Sequence, residues 1–196
     1  MSKAVRFAPL ALLVAIIAAL VWRLATPVDT DVHSAMEGKQ IPLFKLPAAL
    51  PSKPGLSSSD LASGEPHLVN VFASWCVPCV TEVKVLQILK ESGVPVEGIA
   101  IRDRADDLAD FLARNGDPYE RIGSDAQSEV QIALGSSGVP ESFVVDGKGV
   151  IRYQHIGPIE RSDVPLIPQP VVLGMLSASL VKLITGLLAK FESEAM

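Results

Sequence analysis

Hydrophobic positions along the chain follow three patterns, and each predicts a different element. The first is an unbroken apolar run, Phe7–Trp22, sixteen residues without a charge, preceded by Lys3 and Arg6 and followed by Arg23. The second is the short apolar block of a buried strand, found at His67–Phe72 (HLVNVF) and Val96–Ile101 (VEGIAI). The third is helical spacing. After Cys76 it places Val83, Leu86 and Leu89 on one face and Glu82, Lys84 and Lys90 elsewhere. Pro78 suits the first turn of that helix, where a missing N–H costs nothing; Gly93 suits its C-terminal cap, and Pro95 stops it. A second helix covers Ala105–Arg114, with Leu108, Phe111 and Leu112 inward and Asn115-Gly116 as its end. A short third helix, Ser128–Leu134, stops at Gly135. Ser142–Val145 and Val150–Tyr153 read as strands joined at Asp146-Gly147-Lys148-Gly149, a hairpin turn.

The flanks are less regular. Residues 26–66 are rich in Pro, Ser and Gly, with Ile41–Leu46 as an edge strand that Pro42 keeps from the centre of a sheet. Near the C-terminus, Val172–Phe191 puts Leu173, Leu176, Leu180, Leu183, Ile184, Leu187 and Phe191 on one helical face, opposite Gly174, Ala178, Lys182, Thr185 and Gly186, with Met175 on that second face making the contrast moderate. That contrast, with Lys182 in the middle, predicts an amphipathic helix that packs on the domain or lies on a membrane surface, not a span. Strand, helix, strand, helix, short helix and hairpin make an α/β fold with a mixed central sheet flanked by helices.

The apolar run at the front lacks the small −3 and −1 residues of a cleavage site, since Ile16, Ile17 or Arg23 falls at −3. It therefore reads as an uncleaved N-terminal transmembrane anchor, slightly short but extended by Leu24 and Ala25, with Arg23 able to snorkel. A cleaved signal peptide is the alternative. Cations before the segment place the N-terminus in the cytoplasm and the rest outside the inner membrane. The organisation expected is a tip and anchor at 1–25, a linker at 26–40, one domain at 41–191 that includes the C-terminal helix, and a tail at 192–196. Residues 26–196 carry 14 basic and 22 acidic side chains, a net of −8, which argues against nucleic acid as a partner.

The chain's two cysteines narrow the chemistry. Cys76 and Cys79, in Trp75-Cys76-Val77-Pro78-Cys79, are too few for a disulfide framework and supply half of a structural zinc site. Val80 stands where a c-type haem attachment needs His, and His33, His67 and His155 show no pairing at metal spacing. Neither a metal nor any other cofactor is expected. The pair lies between a strand and a helix. Cys76 there meets free N–H groups and the positive end of the helix dipole, which favour its thiolate, and Cys79 is one turn on. That arrangement fits a redox couple in which Cys76 attacks and Cys79 resolves.

His67–Gly157 resembles a thioredoxin-fold protein, and more narrowly the membrane-anchored thiol:disulfide interchange proteins of the DsbE/CcmG type, which serve cytochrome c maturation. The residues that carry the likeness are LVNVFASWCVPCVTE (Leu68–Glu82), NGDPYERI (Asn115–Ile122), SGVPESFVVDGKGVIRY (Ser137–Tyr153) and HIGPI (His155–Ile159). The C-terminal helix, apolar and preceded by prolines, departs from the family. The resemblance implies a thioredoxin-like fold and a cis peptide at Val139-Pro140 facing the disulfide, with the backbone of Val139 open to substrate. It also implies Glu82 and Glu141 as acids near the active site, with Trp75 flanking the sulfurs. Asn70 occupies the site of a buried aspartate in ordinary thioredoxins; since Asn70 cannot titrate, a proton role passes to Glu82 or water.

The function so implied is a periplasmic reductant of the disulfide in apocytochrome c, or in a maturation factor that presents it, re-reduced by an inner-membrane electron-transfer thiol protein. Two other readings stand beside it: a non-catalytic anchored adaptor that binds apocytochrome or assembly factors, and a general membrane-tethered periplasmic thiol reductase.

Overall fold

Five strands form the central sheet, in the spatial order β5-β4-β3-β6-β7: β3 (His67–Phe72), β4 (Val96–Ile101), β5 (Ile122–Asp125), β6 (Glu141–Val145) and β7 (Ile151–Ile156). The computed structural model describes residues 12–19, 22–23 and 36–163. Strand β3 runs parallel to β4 and antiparallel to β6, so the sheet is mixed. All six residues of β3 are buried, as an apolar block at the centre of a sheet requires. Helices α1 (Val77–Glu91), α2 (Ala105–Asn115) and α3 (Glu129–Ala133) follow β3, β4 and β5. They bury the predicted faces, Val83, Leu86 and Leu89 on α1 and Leu108, Phe111 and Leu112 on α2. Each such side chain contributes roughly 1.5–3 kcal/mol by leaving water.

An aromatic group ties the layers together. Phe72 stacks on Tyr119 at 4.4 Å between ring centroids and meets Phe111 of α2 at 6.1 Å. Gly98 in β4 makes room for it, since a Cβ there would sit 2.9 Å from the Phe72 ring and 3.0 Å from Tyr119.

Two elements differ from the pattern in the sequence. Strand β5 is not foreseen, because its sequence, IGSD, holds one large apolar residue. It forms by parallel pairing with β4 and by admitting Leu46, whose side chain would lie 2.8 Å from a Cβ at Gly123. The edge strand expected over Ile41–Leu46 shrinks to β1 (Lys45–Leu46), which pairs with β2 (Leu56–Ser57) in a separate two-stranded sheet. Ile41 instead donates its N–H to the Gly149 carbonyl at 2.8 Å, and Pro42, lacking a donor, breaks the run.

Residues 1–33 and 34–196 form two separate units. In the first, residues 12–19 are helical, with Leu12, Leu13, Val14, Ile16 and Ile17 exposed. Among the described residues no helix is long and apolar enough to cross a membrane. Most of the expected 26–40 linker and the whole Val172–Phe191 helix lie outside the described residues.

Candidate active site at the start of helix α1

Strand β3 ends at Phe72, and a turn closed by the Cys76 N–H on the Ala73 carbonyl (3.2 Å) delivers the chain to α1. Cys76 is the N-cap of that helix, in extended conformation, and its Sγ accepts the backbone N–H of Cys79 at 3.2 Å. Pro78 sits in the first turn, where it withholds no helical hydrogen bond. The sulfurs of Cys76 and Cys79 are joined in a disulfide with Cα atoms 5.4 Å apart. On reduction, the donor now shared with Cys76 Sγ stabilises a thiolate at the same place. Both cysteines are buried, while Trp75 is 57% exposed and Val77 80%, so the disulfide lies within an open apolar rim.

One turn along α1 from Cys79 begins a buried polar cluster. Glu82, one turn beyond Cys79, accepts hydrogen bonds from Asn70 Nδ2 (3.0 Å), the Ile159 N–H (3.1 Å) and Ser142 Oγ (3.5 Å). Burial raises its carboxyl pKa to about 7, outweighing these donors, which act to lower it. Asn70 also donates to Ser142 Oγ (2.9 Å) and accepts from the Tyr119 hydroxyl (2.8 Å). Burial holds the Tyr119 phenol well above its ordinary pKa, so it remains a donor. Asn70 therefore does not titrate; it orients the group that does.

The Val139–Pro140 peptide is cis. Glu141 follows it and is fully buried, but its carboxylate turns to the preceding loop. It accepts from Ser136 Oγ at 2.5 Å, from the Ser137 N–H at 2.9 Å and from Gln154 Nε2 of β7. The Pro140 carbonyl accepts the Gly157 N–H at 3.1 Å, tying the same loop to the end of β7.

Sequence patterns do not single out Asp103, at the end of β4. Its Oδ2 accepts the Ser74 N–H and its Oδ1 the Ser74 hydroxyl, both at 2.6 Å, across to the turn before Cys76. Ser142 and Ile159 are likewise visible as partners of Glu82, and Tyr119 as a partner of Asn70, only in the folded chain. His67 is engaged by Ser63 (3.0 Å) and Glu97 (3.3 Å), away from the sulfurs. Among the described residues no cluster of His, Cys, Asp or Glu is placed to hold a metal ion.

A redox pair at a helix N-terminus, on a mixed sheet whose strand beside β3 is entered through a cis-proline, defines a thiol–disulfide oxidoreductase of the thioredoxin-like class. The Redoxin family profile matches residues 36–167. The thiol:disulfide interchange protein DsbE of Tatumella citrea is 38% identical over 163 residues, covering 80% of this chain and 87% of that relative. HelX, the thiol:disulfide interchange protein of Rhodobacter capsulatus, is 33% identical over 89% of this chain and 98% of its own. DsbE of Escherichia coli K12 is 36% identical over 80% of this chain and 87% of its own. The chain belongs to the Redoxin family, among the DsbE-type thiol:disulfide interchange proteins. Solved structures share the fold. A putative DsbE from Chlorobium tepidum gives a TM-score of 0.54 at 24% identity, covering 71% of this chain and 97% of that one. A secreted thiol-disulfide isomerase from Corynebacterium glutamicum gives 0.58 at 23%, covering 75% and 98%.

Proposed function

We propose that this protein is a periplasmic reductant of the disulfide in apocytochrome c, or in a maturation factor that presents it, during cytochrome c maturation. The observation that carries the mechanism is the placement of Cys76 Sγ on the Cys79 N–H at the N-terminus of α1, with Glu82 one turn further on. In the dithiol enzyme, the Cys76 thiolate attacks one sulfur of the substrate disulfide and the other leaves as a thiolate. Glu82, poised near neutrality, accepts the proton of Cys79. The Cys79 thiolate then attacks Cys76 Sγ of the mixed disulfide, which frees the substrate dithiol and leaves the Cys76–Cys79 disulfide. An inner-membrane electron-transfer thiol protein supplies the two electrons and two protons that restore the enzyme. The oxidising compartment makes that supply a requirement. The backbone beside Pro140 and the apolar rim of Trp75, Val77 and Val80 form the surface on which an extended substrate pairs.

Membrane attachment belongs to the same proposal. The uncharged stretch Phe7–Trp22, with Lys3 and Arg6 before it, supports an N-terminal anchor with the catalytic unit in the periplasm. The exposed apolar side chains of residues 12–19 agree with a lipid environment for that stretch.

A trapping experiment tests the function. A Cys79→Ser variant is expected to accumulate mixed disulfides through Cys76 in cells that make c-type cytochromes, and mass spectrometry of the adduct identifies the substrate. Adducts with unrelated periplasmic proteins alone would point instead to a general reductase. A reduction potential as oxidising as that of a dedicated disulfide-forming enzyme would overturn the direction of transfer.

A further inference from the structure

We propose that Asp103 is a positioning residue for the attack of Cys76, acting through Ser74 on the turn that presents the sulfur to helix α1. The proposal rests on Cys76 being the attacking sulfur. Strands β3 and β4 are parallel neighbours, so the loops that leave their C-terminal ends lie side by side. One of these loops carries Cys76 and the other Asp103. The Asp103 carboxylate spans them with two short bonds to a single residue, the Ser74 N–H and the Ser74 Oγ, both at 2.6 Å. A two-point, charge-assisted contact of this kind fixes the orientation of a peptide as well as its position. The Arg104 N–H donates to the same carboxylate at 3.1 Å and steadies it.

The chain before Asp103 is also shaped to aim it. Arg102 has φ +47°, a left-handed conformation that a long side chain seldom adopts, and its N–H reaches the Asp125 carbonyl at 3.3 Å. On the other side of the clamp, Trp75 alone separates Ser74 from Cys76, and its exposed side chain adds little restraint. The Asp103–Ser74 contact is therefore the side-chain tether of the turn between buried Ala73 and the N-cap.

The tether matters most in the dithiol state. While the disulfide is closed, the covalent bond holds Cys76 beside Cys79. Once it opens, the turn keeps Cys76 Sγ on the Cys79 N–H, and that N–H stabilises the thiolate. Losing the clamp lets the sulfur drift from its donor, so less thiolate forms and attack is slower. The carboxylate charge works in the opposite sense, because a nearby anion disfavours a thiolate. Asp103→Asn separates the two effects. Its amide oxygen can accept the Ser74 N–H while its Nδ2 donates to Ser74 Oγ, so the contact with Ser74 survives without the charge, and only the Arg104 N–H, which met the replaced oxygen, loses its acceptor.

The test uses the reduced full-length protein and reads the rate of iodoacetamide alkylation at Cys76 against pH, site-resolved by mass spectrometry. Asp103→Ala is expected to move the Cys76 titration to higher pH and to slow alkylation about tenfold at neutral pH. Ser74→Ala, which removes the hydroxyl contact and keeps the backbone one, is expected to slow it about threefold. The double variant should fall short of the product of the two effects, and Asp103→Asn, which keeps the Ser74 contact but not the Arg104 one, should recover part of the loss. If Asp103→Ala does not fold, Ser74→Ala and Asp103→Asn decide the matter. A Cys76 titration and rate equal to wild type in Asp103→Ala, or in Ser74→Ala where it alone folds, would overturn the clamp, even alongside a lowered melting temperature. Faster alkylation at Cys79 than at Cys76 in the wild type would overturn the assignment of the attacking sulfur, and the clamp with it.

Discussion

Glu82 lies on the helix that carries the cysteines, and Glu141 directly follows the cis-proline. Both side chains are buried, and sequence resemblance treats them as a pair of active-site acids. Folding gives them different work. Glu82 meets donors at 3.0, 3.1 and 3.5 Å, and these do not offset the cost of burying its charge, so it holds its proton up to about pH 7. Glu141 is gripped by Ser136 Oγ at 2.5 Å, the Ser137 N–H at 2.9 Å and Gln154 Nε2. The first acid is poised to exchange a proton; the second fixes a loop. Burial alone does not decide which task a carboxylate takes. The reach and origin of its donors do.

Removing the Glu141 side chain should give the largest effect. Glu141→Ala removes the acceptor that Ser136, Ser137 and Gln154 share, and water can reach part of that loop, so the expected loss is about 3 kcal/mol. For a domain of this size that lowers the melting temperature by roughly 10 °C, measurable by circular dichroism. A melting temperature within a degree or so of wild type would show that Glu141 is not holding the loop.

Glu82 should show itself in the pH dependence of stability. Its pKa is raised on folding from the ordinary 4.5 to about 7. The folded state therefore binds this proton more tightly than the unfolded chain does. The stabilisation is complete below the unfolded value and is lost as pH rises through about 7, in total about 3 kcal/mol. Urea unfolding of wild type and Glu82→Gln across this window should show wild type losing that amount relative to the variant, which cannot titrate. Parallel curves for the two proteins would place the Glu82 carboxyl in its ordinary range and remove the contrast with Glu141.

How far these roles can be read from sequence follows from how local their causes are. Strands β3 and β4 and helices α1 and α2 announce themselves because each carries its own apolar block or stripe. The cysteine pair is legible because spacing and placement act within a single turn. Strand β5 is not, because its IGSD sequence becomes a strand through its neighbours. The position of Glu82 follows from its distance along α1, but its partners Asn70, Ser142 and Ile159 come from three distant segments. Asp103 is hidden for a different reason. It stands in the charged stretch RDRADD (102–107), which reads as a solvated surface until Ser74 is seen to occupy its carboxylate.

The catalytic side of the comparison can be sharpened with the same Glu82→Gln variant. If Glu82 takes the proton of Cys79, the amide should slow substrate release from the mixed disulfide about tenfold at neutral pH. The limb of the pH–rate profile that turns near pH 7 should vanish with it. The initial attack by Cys76 should change far less, because Cys76 draws on the helix N-terminus and not on Glu82. Stopped-flow measurement of the two steps with a fluorescent peptide disulfide separates them. Equal slowing of both would mean that the substitution disturbs the site as a whole and does not simply remove a proton acceptor.

Tyr119 gives the smallest effect and the finest test. Its hydroxyl donates to Asn70 Oδ1 at 2.8 Å, and Asn70 Nδ2 in turn donates to Glu82 at 3.0 Å. Tyr119→Phe keeps the ring that stacks on Phe72 but leaves the buried amide oxygen of Asn70 without that donor, at a cost of about 1–2 kcal/mol. The consequence for Glu82 follows from the geometry. An amide no longer pinned by Tyr119 is free to rotate and holds its Nδ2 less firmly on the carboxylate. Glu82 then loses part of a contact that favours its charged form, so its pKa should rise slightly from about 7. The turning point of the resolving step should move to higher pH in Tyr119→Phe and disappear in Glu82→Gln, while Glu141 and its loop stay as they are. A profile unchanged in Tyr119→Phe, with the stability loss present, would show that Asn70 is held by Ser142 and Glu82 alone and that the phenol supports the core without tuning the acid.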